Sequence, residues 1–200
     1  MQKSRSLLLA TLLLIFCGSI LANGATINGS GTGLASPQNT VTFSEILLSI
    51  GQPISSYLGL TFVPGAFWNP EPGFFATPSV GNYNCNVCVI DPVTLVFPSV
   101  VNAAAFQLIT HPEDETTFTA LLNGVPVESF TGTTSFSQLW YGFENVNFNA
   151  IEVNVAININ GAFQMDNVEY NAATPEPGTL LLMGSGILGL TGVLRRKLMM

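Results

Sequence analysis

Between Ser6 and Leu194 the chain has no lysine and no arginine; its five basic residues, Lys3, Arg5, Arg195, Arg196 and Lys197, sit at the two extremities. Holding a phosphate backbone needs cationic side chains that release its counterions, so nucleic acid is set aside as a partner. Attraction to anionic lipid headgroups is excluded for the same reason. All twelve acids fall in this interval, and eleven remain once Glu176 near the carboxyl end is left out, so the middle of the chain has a formal charge of −11. A divalent cation such as calcium is what such a surface draws most readily.

Histidine is nearly absent too. His111 is the only one, no Gly-x-Ser-x-Gly elbow is present, and no cation is available to steady an oxyanion. Nucleophilic hydrolysis by a Ser-His-Asp set therefore has little to build on. A third absence is helical periodicity: from Thr40 to Tyr170 no stretch keeps a 3.6-residue apolar repeat.

What is present begins with a three-part leader. Met1 to Arg5 carries Lys3 and Arg5, Leu7 to Phe16 is apolar but for Thr11, and small residues follow from Gly18 to Ala25. This order is that of a secretory signal peptide, and small residues at Ala22 and Gly24 place the cut before Ala25. The run is shorter than the ~20 residues of a spanning helix. Cys17 follows Ile15 and Phe16, where a lipoprotein signal has small residues, so no lipid is expected there. Once the leader is removed Cys85 and Cys88 are the remaining cysteines. An exported chain favours a disulfide between them; two ligands are too few for structural zinc, and no βαβ unit suggests a thioredoxin-like role.

The other end has its own order of features. Pro175-Glu176-Pro177 interrupts regular structure, Gly178 to Leu194 is uncharged, and Arg195-Arg196-Lys197 follows. As a helix rising ~1.5 Å per residue, the uncharged segment would reach roughly 25 Å, enough for a thin bilayer core, with the basic end held in the cytoplasm. Gly184, Gly186, Gly189 and Gly192 leave one face of that helix open to close approach by another. Pro175 and Pro177 fix φ and remove two backbone donors, which keeps the preceding chain extended and open to a protease. The stretch from Thr174 to Met200 resembles the PEP-CTERM sorting signal of Gram-negative bacteria. The resemblance implies cutting by an exosortase after signal peptidase has acted, transient anchoring in the inner membrane, and delivery to the cell surface or the extracellular polysaccharide matrix. The organisation expected is a signal peptide over 1–24, a β-domain over 25–171, a Pro-rich stalk over 172–177, a transmembrane helix over 178–194 and a basic cytoplasmic end over 195–200.

Short β-prone runs separated by Pro, Gly and Asn fill the middle. The clearest is Ala150 to Ile159, where Ile151, Val153, Val155, Ile157 and Ile159 alternate with polar or small residues, one face dry and the other wet. Asn123-Gly124 between Thr116–Leu122 and Val125–Phe130 is a strong hairpin signal, since both residues tolerate positive φ. Further strands are predicted at 41–47, 57–63, 94–97, 103–110, 135–141 and 163–170. Roughly nine strands fit an all-β, antiparallel two-sheet sandwich of jelly-roll type, around a core of Phe43, Phe62, Phe106, Phe118, Phe148 and Phe163. The runs at 41–46, 57–62 and 162–168 are also similar, more distantly, to jelly-roll domains that precede such tails and to carbohydrate-binding modules. Many of those open with paired acids after the Phe; here Ser44 stands in the first place.

Two constellations suggest binding. Glu45 and Asp166 lie in the expected first and last strands, which neighbour each other in a jelly roll, so their oxygens are candidates for a calcium. Trp68 and Trp140, with Tyr83 and Tyr141, are candidates for stacking on sugar rings, and the segment from Phe67 to Phe75 sets four aromatic rings in a Pro- and Gly-rich loop. Asp91 and the Glu113-Asp114-Glu115 run are similar candidates, although three consecutive acids after His111-Pro112 read more readily as a solvated turn between strands. The function expected is that of a non-catalytic exported surface or matrix protein binding glycan or calcium. The alternatives are a small polysaccharide hydrolase using paired carboxylates and a self-associating matrix protein.

Overall fold

The computed structural model describes residues 24–84, 89–110, 114–156, 161–173 and 185–186. The predicted basic end falls outside them, as do the predicted leader except for Gly24, the predicted stalk except for Ala172, which closes the last strand, and Ala173, and the predicted membrane helix except for Ser185 and Gly186, which are helical. The described domain is all-β. Its ten strands are β1 (Ala25–Ser30), β2 (Asn39–Val41), β3 (Gln52–Tyr57), β4 (Leu60–Trp68), β5 (Val80–Gly81), β6 (Val93–Thr110), β7 (Asp114–Leu122), β8 (Val125–Thr134), β9 (Leu139–Val155) and β10 (Phe163–Ala172).

All ladders are antiparallel, and β6 and β9 belong to two layers at once. The first part of β6 pairs with β4 (Val63 opposite Thr94) and with the end of β9 (Leu95 opposite Ile151). Its second part pairs with β10 (Leu108 opposite Met165) and with the start of β9 (Phe106 opposite Tyr141). Between them the register shifts from Val96 to Val101, and Pro98, Ser99 and Val100 are exposed. In β9 the matching bend lies near Asn145, whose φ is 60°. The chain thereby folds over itself. One layer runs β3–β4–β6–β9–β7–β8, the other β2–β10–β6–β9–β1, and β5 bridges β10 and β4.

Side chains between the layers prove the overlap. Phe118 of β7 stacks on Tyr141 of the opposite layer with centroids 5.0 Å apart and lies 6.1 Å from Phe106. All six core phenylalanines expected from the sequence are at most 2% exposed. Burying rings of this size contributes most of what holds such a domain together, at about 25 cal/mol per Å².

Several boundaries differ from the sequence expectation. The predicted strand at 41–47 stops at Val41, where Phe43 takes φ 55° and turns its ring to within 5.2 Å of Tyr57. The predicted run 57–63 is a hairpin instead, turned by Leu58 and Gly59 at φ 46° and 87°. The runs at 94–97 and 103–110 are parts of one strand, and β1 was not expected. Asn123 and Gly124 do turn β7 into β8, at φ 53° and 80°.

The described chain enters and leaves at the fold-over end. Ala25 opposes Glu144, beside the bend in β9. Ala173, just past β10, donates its N–H to Val100 O at 3.0 Å, at the bend in β6. The opposite end carries the connections from β4 to β5 and from β8 to β9.

Candidate functional site

Side chains alternate along β10: Phe163 and Met165 enter the core, so Gln164 and Asp166 face outward. Both are nonetheless buried, because the connection from Asn69 to Ser79 closes over them. Gln164 Oε1 accepts from Ser79 Oγ at 2.6 Å, and its Nε2 donates to Tyr83 Oη at 2.6 Å and Glu71 O at 3.3 Å. Tyr83 in turn donates to Glu71 Oε2 at 2.8 Å. Asp166 Oδ2 accepts from the Thr77 hydroxyl, and Oδ1 accepts the Asn167 N–H at 2.7 Å.

Glu45 lies in the loop after β2. Its Oε1 accepts from Thr42 N–H at 2.8 Å and Thr42 Oγ1 at 3.2 Å, and its Oε2 accepts from Tyr57 Oη at 3.4 Å. Burial raises its pKa, but these hydrogen bonds outweigh burial and hold the carboxyl below its usual range. Asp166 goes the other way. Burial is the largest cause, Thr77 and Asn167 offset it in part, and the charge of Glu45 adds to it, so the carboxyl is pushed up to about 6. The two predicted calcium residues are thus close enough to repel each other. Among the described residues, however, no three His, Cys, Asp or Glu side chains converge. A calcium shared here would depend on hydroxyl and carbonyl oxygens, such as those of Thr42 and Ser44, for the rest of its six to eight ligands.

A buried carboxyl whose pKa rises on folding destabilises the fold when ionised. Relative to its ordinary 3.8, a value of about 6 costs about 3 kcal/mol at pH 8, a cost that shrinks as pH falls through 6 and is gone below 4. Denaturant unfolding of the wild type and Asp166→Asn should therefore show the difference between them moving in the wild type's favour by about that amount between pH 8 and pH 4. A difference that stays constant over this range would mean that Asp166 titrates normally.

The tryptophans are not where glycan stacking would need them. Trp68 is the last residue of β4, 4% exposed, and its indole N–H donates to Phe43 O at 3.2 Å in the core. Trp140 is 8% exposed. It faces outward from β9, but the segment before β2 covers it, with Leu34 packed against it and Gly33 so close that an added Cβ would lie 2.7 Å from the ring. Tyr141 is wholly buried. Stacking of a sugar on Trp68 or Trp140 is therefore excluded by burial. Cys85, Cys88 and His111 lie outside the described residues, as do Pro175, Glu176, Pro177, Arg195, Arg196 and Lys197. Asp91 is half-buried and accepts the Val155 N–H at 3.2 Å. Burial raises its pKa, the Val155 bond partly offsets this, and the charge of Glu152 adds to it.

The aromatic loop does present a ring, though not the predicted one. Phe74 is half-buried and Phe136, between β8 and β9, is 48% exposed. Their rings are nearly parallel, at 18°, with centroids 5.6 Å apart. Gln138 Nε2 donates to Phe74 O at 2.6 Å and ties the two loops together. Sequence reading flagged Phe74 only as part of its loop and missed Phe136, since nothing local brings residues 62 positions apart into register.

Comparison with known proteins gives one specific result. A model of the PEP-CTERM protein-sorting motif matches residues 173–197. No curated protein matches the chain. Among solved structures, CtCBM11, studied in solution for its dynamics and binding, is similar at 16% identity and a TM-score of 0.34, covering 70% of this chain and 98% of its own. The enzymatically active domain of bacteriophage CBA120 tailspike protein 4 is similar at 14% identity and a TM-score of 0.34; the likeness covers 76% of this chain but only 20% of that one. At such distances neither says what this chain binds or does. The matched segment holds the Pro-Glu-Pro, the uncharged stretch and the basic triplet in that order, and the chain is accordingly a PEP-CTERM protein, exported and sorted by an exosortase.

Proposed function

We propose that the domain is a non-catalytic binding module of jelly-roll type, carried to the cell surface or the extracellular polysaccharide matrix, where it holds glycan, with calcium as a second ligand at Glu45 and Asp166. The transient anchor is the segment 178–194 in the inner membrane. One observation carries the reading: the sorting motif is joined to a domain that has no Lys or Arg of its own. Such a domain suits a neutral, hydroxyl-rich partner. Calcium belongs in the proposal because Asp166 feels the charge of Glu45 while no fixed cation in the domain offsets either.

Hydrolysis by paired carboxylates finds partial support in the same pair, one held low and one pushed up, which is the division that general acid catalysis needs. Against it, Asp166 has no exposed surface, so a leaving group has no path to its proton. Self-association draws on a different feature. β8 is an edge strand of ten residues, paired with β7 alone among the described residues, and Val125 and Val127 on it are exposed.

The purified protein should be retarded in native gels containing neutral polysaccharide and should release no reducing sugar from it. Millimolar calcium should raise its melting temperature by several degrees at pH 7, as binding to the folded state alone requires, and chelator should reverse the rise. Reducing ends appearing with time would establish the hydrolase instead, and an unchanged melting temperature would remove calcium from the account.

A further inference from the structure

We propose that Phe74 and Phe136 form the stacking platform of this domain, and that its occupant is a neutral polysaccharide. The inference rests on the binding-module reading and adds the place and the ligand class.

Single exposed apolar side chains are ordinary, but rings grouped at the surface on a rigid support mark an interaction site. Here the support is unusually well built. The segment carrying Phe74 is fixed to β10 through Ser79 and Glu71 on the buried Gln164, with Tyr83 beyond β5 bridging Glu71 and Gln164, and through Thr77 on the buried Asp166. It is fixed to the β8–β9 connection by Gln138. Phe136 has its own local order: Ser137 N–H donates to Ser135 Oγ at 3.3 Å, and Leu139 N–H donates to Ser137 O at 2.8 Å. Ordering entropy is thus spent on folding and not on ligand capture.

The chemistry around the rings selects the ligand. A pyranose presents a flat patch of C–H groups to an aromatic face and hydroxyls at its edge. Gln138 and Glu71 offer amide and carboxylate groups for those hydroxyls at the same end of the domain, and no lysine or arginine lies anywhere in it. A polyuronate or sulfated chain would meet a surface of formal charge −11 with nothing to neutralise it. A second copy of the chain is disfavoured by the same charge.

Native gel retardation of the full chain in non-ionic detergent tests this, with soluble mixed-linkage glucan, amylopectin and galactomannan as neutral probes and alginate as the anionic one. At least one neutral probe should retard the wild type and alginate should not. Phe136→Ala should weaken that retardation about tenfold or more. Phe136→Leu should weaken it similarly, since it keeps apolar bulk but lacks the ring face. Melting temperatures of the variants near that of the wild type would place the loss in the site and not in the fold. Undiminished retardation of both variants would overturn the platform while leaving the binding module standing. Equal retardation by alginate would overturn the choice of ligand, and no retardation by any neutral probe would overturn both readings together.

Discussion

Changing Pro175, Glu176 and Pro177 together to alanine in the producing bacterium should leave the protein uncut, at its higher mass and in the membrane fraction, with the released pool falling to background. These residues lie in the segment matched by the sorting motif. The reason is one of sequence: two prolines fix φ and remove two donors, which favours an extended chain at the cutting site. Alanine does the opposite, being the strongest helix former, so three of them would invite the helix expected over 178–194 to run on through the cutting site. Glu176→Gln, which keeps both prolines, separates the shape of the site from its charge. Normal release of the triple-alanine protein would mean that the motif does not direct its processing. An immunoblot of membrane and medium fractions reads every arm.

Gly142→Ala should be the most damaging glycine-to-alanine change in the described domain. Gly142 opposes Ala105 in the ladder between β6 and β9. An added Cβ would lie 2.6 Å from Ala105 Cα and would also collide with Ala104 O. Both obstacles are backbone, so relief requires parting two central strands. We expect a loss of roughly 3 kcal/mol or more, about ten degrees in melting temperature for a domain of this size, or failure to accumulate as soluble protein. Gly31→Ala is the matched control, since nothing lies within 4 Å of the added atom and the change should stay within about 0.5 kcal/mol. A melting temperature for Gly142→Ala equal to that of the control would show that the strands are less tightly drawn together than described.

The two kinds of information in the chain were legible to different degrees. Export and sorting signals are linear, read by enzymes along extended or helical chain, so residue order alone carries them. The phenylalanine core was legible because a two-residue period puts Phe106, Leu108 and their partners on one side. Alternation even held the answer for Trp68. Leu60, Phe62, Ala66 and Trp68 are all even-numbered and all buried, whereas proline and glycine in the neighbouring loop suggested exposure. Trp140 was beyond local reading: its outward direction follows from the inward Tyr141, but its cover comes from Gly33 and Leu34, more than a hundred positions away. The fold-over of β6 was equally hidden, since Pro98 within an apolar stretch reads as a break between strands. Asp166 was found by its place in the expected last strand, yet its raised pKa arises from burial, added to by the charge of Glu45 and partly offset by Thr77 and Asn167, an environment that exists only after folding.

The entry and exit of the described chain at one pole of the sandwich has a mechanical consequence. A body fastened by that pole swings about it, and any anchor reached through the carboxyl end leaves the far pole pointing into open surroundings. Phe74, Phe136 and the loops that carry them occupy that far pole. A ligand of those loops would therefore be met at the pole away from any such anchor.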